Sequence, residues 1–363
     1  MTPVRRSAGG TVPAPVVLVL ASSAGGVGRH AVELCAGLRS AGVDVRVAAP
    51  AETLRRFDFG VPTCAVEIGA DLDPVRDLRA ALTLRRAVRA LPGALVHAHG
   101  VRAGFVAAFA ARRGTALVVT LHNAVLGSAP RARLGTAVLG AVCRRADVVL
   151  GVSGDLVSLA RSLGARRVER ALVPAPPLPP GDPVRGRAVL GEGPVALAVA
   201  RLAPQKGLTT LLDAAGRLPA GARVVVVGDG PLREELQGRI DDEQLPVRLA
   251  GRREDVADLL AAADVALSTS LWEGQPVFVQ EALRAGVPVV ATDAGGTAEV
   301  TGDAAVLVPV GDARAVAEAV GALLDDPGLR AERARRSARR AGELPDGAAA
   351  LAQVLAVHAR ARG

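Results

Sequence analysis

Residues 265–291 read VALSTSLWEGQPVFVQEALRAGVPVVA, and this stretch sets the fold. The short apolar run Val265 to Ser268 suits a buried strand. Pro276 suits the first position of a helix, where its missing N–H needs no partner. Gly286 followed by Pro288 suits the end of that helix, and Val287 to Ala291 supplies a second strand. A strand, a helix and a strand in succession make a βαβ unit, the building block of a parallel sheet covered by helices.

The same alternation runs outward in both directions. Toward the N-terminus of this half, strands are expected at Val195 to Ala200, Arg223 to Val227 and Val247 to Ala250, and beyond it at Ala305 to Val308. Residues 173–183, VPAPPLPPGDP, carry too much proline for a helix or an inner strand and read as a linker. Before them the pattern repeats, with strands expected at Val16 to Leu20, Val43 to Ala48, Ala94 to His97, Ala116 to Thr120 and Val148 to Val152. The chain is thus read as α/β, two doubly wound Rossmann-like domains: residues 1–180, residues 181–345, and a C-terminal helix over 346–363 that returns to the first domain. A length of 363 residues suits two such domains. Ligands in open α/β sheets sit beyond the carboxyl ends of the strands, so two such sheets facing each other make a cleft.

Composition narrows the function. The chain is 50% hydrophobic but has five Phe, one Trp and no Tyr, so its cores rest on Ala, Val and Leu. A formal charge of +8 would suit nucleic acid, but base-stacking aromatic platforms are missing and no nucleic acid is expected. The arginine runs at 330–340 and at Arg360 and Arg362 read as solvated helix faces, with an anionic membrane surface or a lipid-linked acceptor as the alternative. Cys35, Cys64 and Cys143 lie far apart with no C-x-x-C spacing, which fits a reducing cytoplasm. Arg5 and Arg6 before Val16 to Ala21 have the outline of a signal peptide, but the apolar run is short and Pro13 and Pro15 interrupt it. The expected location is cytoplasmic, with peripheral attachment at the inner face of the membrane as the variant the charge allows.

Several motifs carry chemistry. A glycine loop, SSAGGVGRH at 22–30, follows the first strand and opens a helix, so the backbone at Gly25 and Gly26 can approach a phosphate. Gly26 to Ala31 also satisfies the G-x-G-x-x-A dinucleotide fingerprint, with Glu52 near the end of the next strand, so a nicotinamide enzyme is a rival. Arg201 and Lys206, in ARLAPQKG at 200–207, stand at a strand's carboxyl end, where fixed cations can neutralise a departing diphosphate. Glu273 lies before the helix of the opening stretch and Glu281 within it. Each carboxylate has two acceptor oxygens, suited to the hydroxyls of one elongated ligand. Val225 to Pro231 reads as a strand and a turn. His97-Ala98-His99 places two imidazoles on one side of a strand, but no third metal ligand is evident. Asp71-Leu72-Asp73 reads as turn and cap residues.

Taken in order and spacing, GGVGRH, RLAPQKG, VVVVGDGPL and WEGQPVFVQEALRAGVPVVATDAGG resemble glycosyltransferase family 4, retaining enzymes of the GT-B fold. The likeness spans Val16 to about Leu307. It implies that Arg201 and Lys206 contact the donor diphosphate, Glu273 the transferred sugar and Glu281 the nucleotide ribose. Gly274, Gln275, Pro276 and Val277 fall with them in the donor site, and Arg252 falls where a loop passes the base. Gly25 and Gly26 approach the phosphate or sugar, His122 lies close to the reacting sugar, and His97 and His99 shape the acceptor side. The expected activity is metal-independent, cofactor-free transfer from a nucleotide diphosphate sugar to a small-molecule or lipid-linked acceptor. A sugar-nucleotide epimerase or hydrolase would share the fold, and a non-catalytic nucleotide-sugar sensor would share the site. Two departures stand out: Val173-Pro174-Ala175 replaces the family's Asn-Gly pair, and Gln275 stands where an aromatic is frequent.

Overall fold

The computed structural model describes residues 14–23, 25–112, 114–123 and 129–363. Parts of two readings lie outside them: Arg5, Arg6 and Pro13 of the signal-like segment, and Ala24 of the glycine loop.

The chain forms two compact units. The first comprises β1 (Val16–Leu20), α1 (Gly26–Ser40), β2 (Val45–Ala49), α2 (Ala51–Arg56), β3 (Thr63–Ala65), α3 (Pro74–Arg89), β4 (Leu95–His99), α4 (Val101–Ala110), β5 (Leu117–Leu121), α5 (Ala129–Arg145), β6 (Val148–Gly151), α6 (Gly154–Ser162) and β7 (Val168–Arg170). Its strands pair in parallel in the order β3-β2-β1-β4-β5-β6-β7. The edge strands β3 and β7 are three residues each and were not expected, because no buried residue marks either one. The inner strands β1, β4 and β5 are buried along their whole length, as expected where helices cover both faces of a parallel sheet.

The second unit follows with α7 (Pro183–Leu190), β8 (Val195–Val199), α8 (Leu208–Ala215), β9 (Arg223–Val227), α9 (Arg233–Asp242), β10 (Val247–Leu249), α10 (Val256–Ala262), β11 (Val265–Ser268), α11 (Val277–Arg284), β12 (Val289–Thr292), α12 (Thr297–Thr301), β13 (Val306–Val308), α13 (Ala313–Asp325) and α14 (Pro327–Ala341). Its parallel order is β10-β9-β8-β11-β12-β13. One core packs α8, α9 and α13 on one face of this sheet. A second packs α10, α11 and α12 on the other. Pro276 caps α11 rather than opening its first turn, so the helix begins one residue later than expected.

The first unit ends at Leu172, short of the expected 180, for a visible reason. Gln280, buried on α11, accepts a hydrogen bond from Ala175 N (3.0 Å) and donates to Val173 O (3.1 Å). Gln275 accepts from Val173 N (2.8 Å). These amides bind the start of the proline-rich segment to the second unit. The last helix, α15 (Gly347–Arg362), belongs to the first unit, where it packs on α1 and β5.

Candidate functional site

In each unit the strand order reverses beside its first strand, between β1 and β4 and between β8 and β11. Loops leaving the carboxyl ends of strands part there and leave a crevice. The residues singled out from the sequence gather at these two places.

In the second unit the loops after β8 to β12 are stitched to one another through their backbones. Ala200 N donates to Val227 O, Leu202 N to Asp229 O, Gly228 N to Gly251 O, Leu271 N to Gln205 O and Gly296 N to Glu273 O, all at 2.8–3.0 Å. Glycine makes this approach feasible. A Cβ on Gly228 would lie 1.9 Å from Ala200 O, and one on Gly230 2.3 Å from Leu202 O. The G-D-G turn is therefore there for close packing of the loops beneath the site. Gly207, at φ 57°, and Gly295, also at φ 57°, meet Thr269 O and Glu273 O in the same way.

On this frame Lys206 Nζ meets Glu273 Oε1 at 2.5 Å, and both side chains are largely buried. Ser270 Oγ donates to the same carboxylate oxygen at 2.6 Å. Thr269 Oγ1 donates to Lys206 O and Thr292 Oγ1 to Ser270 O. Sequence reasoning missed these three hydroxyls, since Ser and Thr in a loop or at a strand end carry no signal until their neighbours are known. Glu281 is buried on the second turn of α11. Arg201 and Arg252 are exposed, and neither side chain makes a hydrogen bond or ion pair among the described residues. Gly274 and Pro276 are buried and Val277 partly so. Gln275, expected against the donor, commits its carbonyl oxygen to Val173 N.

In the first unit Gly25 and Gly26 open α1, exposed and with no atom within 4 Å of where a Cβ would stand. Gly28 is different: a Cβ there would strike the Phe57 ring at 2.3 Å, so the second glycine of the fingerprint serves packing. Asp73 caps α3, accepting from Val75 N and Arg76 N.

The largest finding here is that all five histidines of the chain meet. His97 and His99 project from one side of β4 and stack at 4.5 Å. His99 Nδ1 lies 3.0 Å from His122 Nε2, just past the end of β5. His30, from α1, stands edge-on to both rings at 5.7 Å. From α15, His358 Nε2 reaches His97 Nδ1 at 3.0 Å, while His97 Nε2 meets Thr120 Oγ1 at 2.8 Å. Nothing in the sequence pointed to His30 or His358, because both are brought in by tertiary packing. Burial disfavours the charged imidazolium, so His30 and His358 are pushed down to about 4, His122 to about 3, and His97 and His99 well below the ordinary value. The cluster is neutral at physiological pH. Among the described residues no group of three or more His, Cys, Asp or Glu is arranged to hold a metal ion.

Comparison with known proteins bears on this arrangement. Residues 193–326 match the family described as glycosyl transferases group 1, and residues 25–176 match the glycosyl transferase 4-like domain. D-inositol 3-phosphate glycosyltransferase 1 of Catenulispora acidiphila is 33% identical over 285 residues, covering 69% of this chain and 67% of that protein. The lipopolysaccharide core biosynthesis glycosyltransferase LpsE of Rhizobium meliloti is 33% identical over 149 residues, and there the match spans 40% of this chain and only 44% of the relative's length. The crystal structure of Anabaena HepE in complex with UDP superposes with a TM-score of 0.80 at 22% identity, covering 95% of this chain and 99% of that one. That likeness establishes the two-domain GT-B fold class.

Proposed function

This chain belongs to the glycosyl transferases group 1 family, and from that premise we propose that it transfers a glycosyl group from a nucleotide diphosphate sugar to an acceptor hydroxyl, with retention of anomeric configuration. The observation that carries the reading is the set of charges over the strand-order reversal of the second unit. Arg201, after β8, and Arg252, after β10, make no side-chain hydrogen bond or ion pair among the described residues, and Lys206 pairs with Glu273, which Ser270 also holds.

In this reading the diphosphate takes Arg201 and Lys206, the transferred sugar takes Glu273, the ribose takes Glu281, and Arg252 lies along the base. The bond from the anomeric carbon to the phosphate oxygen breaks. The acceptor oxygen bonds to that carbon on the same face, and the acceptor's proton passes to the departing phosphate. Arg201 and Lys206 meet the negative charge that grows there, which is the kind of stabilisation worth most in catalysis. That charge requires no catalytic metal.

His122 fits a hydrogen-bonding role and not proton transfer. His99 Nε2 is buried without a partner. A sealed N–H is rarer and costlier than a sealed acceptor, so we assign the His99 proton to Nδ1, where it is donated to His122 Nε2. The His122 proton then sits on Nδ1, which leaves an N–H for a sugar hydroxyl or a phosphate oxygen.

UDP, the nucleotide in the HepE complex, is the first donor base to try. The relatives' names cover a small phosphorylated acceptor and lipopolysaccharide core, and both acceptor classes enter the test. A thermal-shift screen against UDP, GDP, ADP and NAD, with and without EDTA, followed by an assay of sugar transfer, decides the matter. Stabilisation by one nucleoside diphosphate, insensitive to EDTA, is expected. Stabilisation by NAD alone would overturn the reading.

A further inference from the structure

Most basic runs of this chain are occupied. On α14, Arg330 donates to Leu323 O and Leu324 O, Arg336 pairs with Glu332, Arg339 with Asp303, and Arg340 with Glu343. Near the C-terminus Arg360 pairs with Glu169. The arginines that suggested a membrane surface from sequence are thus mostly engaged within their own units, those of α14 in the second and Arg360 in the first.

Helix α3 is built differently. Its inner face buries Asp77, Ala80, Ala81, Leu84 and Val88, with Asp77 paired to Arg102 at 2.6 Å, so the inner face alone accounts for its packing. The outer face carries Val75 (61% exposed), Leu78 (62%) and Leu82 (41%). Arg79, Arg86 and Arg89 share that face and are exposed. At about 100° per residue these six positions fall within an arc of about 100°, and no acidic residue lies among them. Their guanidinium groups make no hydrogen bond or ion pair among the described residues. Arg85 donates to Phe109 O at the end of α4 (2.5 Å), which brings the exposed Phe109 beside the same helix. Of nine large hydrophobic residues exposed among the described ones, five are Leu72, Val75, Leu78, Leu82 and Phe109. Scattered apolar residues on a surface need no explanation, but a cluster does; Asp71 and Asp73 flank Leu72 before the helix, while on α3 itself Val75, Leu78 and Leu82 share their arc with arginines alone.

We propose that the outer face of α3 docks on an anionic phospholipid bilayer, with its aliphatic stripe entering the interface and Arg79, Arg86 and Arg89 meeting lipid phosphates. Charge selects this occupant. A basic face with an aliphatic stripe is the pattern of interfacial helices, whereas a second copy would set the three arginines against their own kind. The binding stands apart from the transfer reaction and would serve it by bringing the enzyme to a bilayer-borne acceptor.

The test is flotation of the full chain with vesicles of phosphatidylglycerol and phosphatidylcholine, against vesicles of phosphatidylcholine alone. Wild type should float only with the anionic vesicles and be released by high salt. A surface arginine contributes about fivefold to binding, so the R79Q/R86Q/R89Q variant should lose on the order of 100-fold, and V75S/L78S/L82S at least tenfold. Both variants should keep the melting temperature and the nucleotide-induced thermal shift of wild type, which separates loss of docking from loss of the active site. If the aliphatic variant fails to fold, the arginine variant decides, since those side chains are exposed. Wild type that does not float, variants that float as well as wild type, or a dimer dispersed by L78S would each overturn the proposal.

Discussion

Lys206 and Glu273, 67 residues apart in the chain, meet at 2.5 Å and neutralise each other in the absence of a donor. Ser270 holds Glu273 independently of the lysine, so removing the ammonium leaves the carboxylate in place. The role assigned to Lys206 is with charge that grows as the phosphate departs, and only contacts that strengthen in the transition state raise turnover. Lys206→Ala should therefore lower kcat by about 100-fold or more, while the nucleotide Kd changes much less. Steady-state kinetics beside calorimetric titration with the nucleoside diphosphate check this. Equal losses in both would place Lys206 in ground-state binding alone.

The histidine cluster makes stability depend on pH in a stated direction. Each imidazole has a lower pKa folded than unfolded, so the unfolded chain takes up more protons as pH falls below about 6.5. The stability is complete above that value and is lost progressively toward the folded values of about 4 and 3. His30, His122 and His358 together should withdraw about 3 kcal/mol between pH 6.5 and 5.5. Melting curves of the full chain from pH 8 to pH 5 should fall steeply over that window, and replacing His358 with Gln should flatten the fall. A melting temperature that stays level to pH 5 would contradict the burial of these rings.

Two glycine substitutions should part stability from activity. Gly295 has φ 57° and its Cβ would stand 2.1 Å from Glu273 O, so Gly295→Ala meets both backbone strain and a clash with backbone. A loss of several kcal/mol, or failure to fold, is expected, because strain of this kind costs about 1–3 kcal/mol before any clash. Gly25 has open space around it. Gly25→Ala should leave the urea midpoint where it is and reduce transfer, since the methyl group stands where the backbone is to approach the donor. Unchanged activity in Gly25→Ala would remove that loop from the site.

Periodicity was enough to read the inner strands, because β1, β4, β5 and β8 are buried on both faces and so appear as unbroken apolar runs. The edge strands β3 and β7 lack that mark, and only pairing with a neighbour makes them strands. Loops behaved likewise. Arg201, Lys206, Glu273 and Glu281 stood out because charge at a strand end or in an apolar helix is conspicuous. Ser270, His30 and His358 did not, since their significance lies in contacts made across 3, 69 and 261 residues of chain. Gln280 was legible only as a residue of the helix and Gln275 only as part of the expected donor site, and their grip on Val173 and Ala175 required the fold.

The tautomer assigned to His122 can be read directly. Long-range proton–nitrogen correlation on uniformly labelled protein should find the His122 proton on Nδ1, since Nε2 accepts from His99, 3.0 Å away. The ring should stay neutral down to about pH 4, given its depressed pKa of about 3. Activity should then show no limb from His122 between pH 6 and 9. An asparagine amide occupies nearly the place of Nδ1 and can donate from it, whereas a glutamine amide extends toward Nε2. His122→Asn should therefore retain more turnover than His122→Gln, and both should exceed His122→Asp, whose carboxylate would repel a donor phosphate. A proton found on Nε2, or the reverse order of the two amides, would move the ligand-facing atom to the other side of the ring and take the assigned hydrogen bond with it.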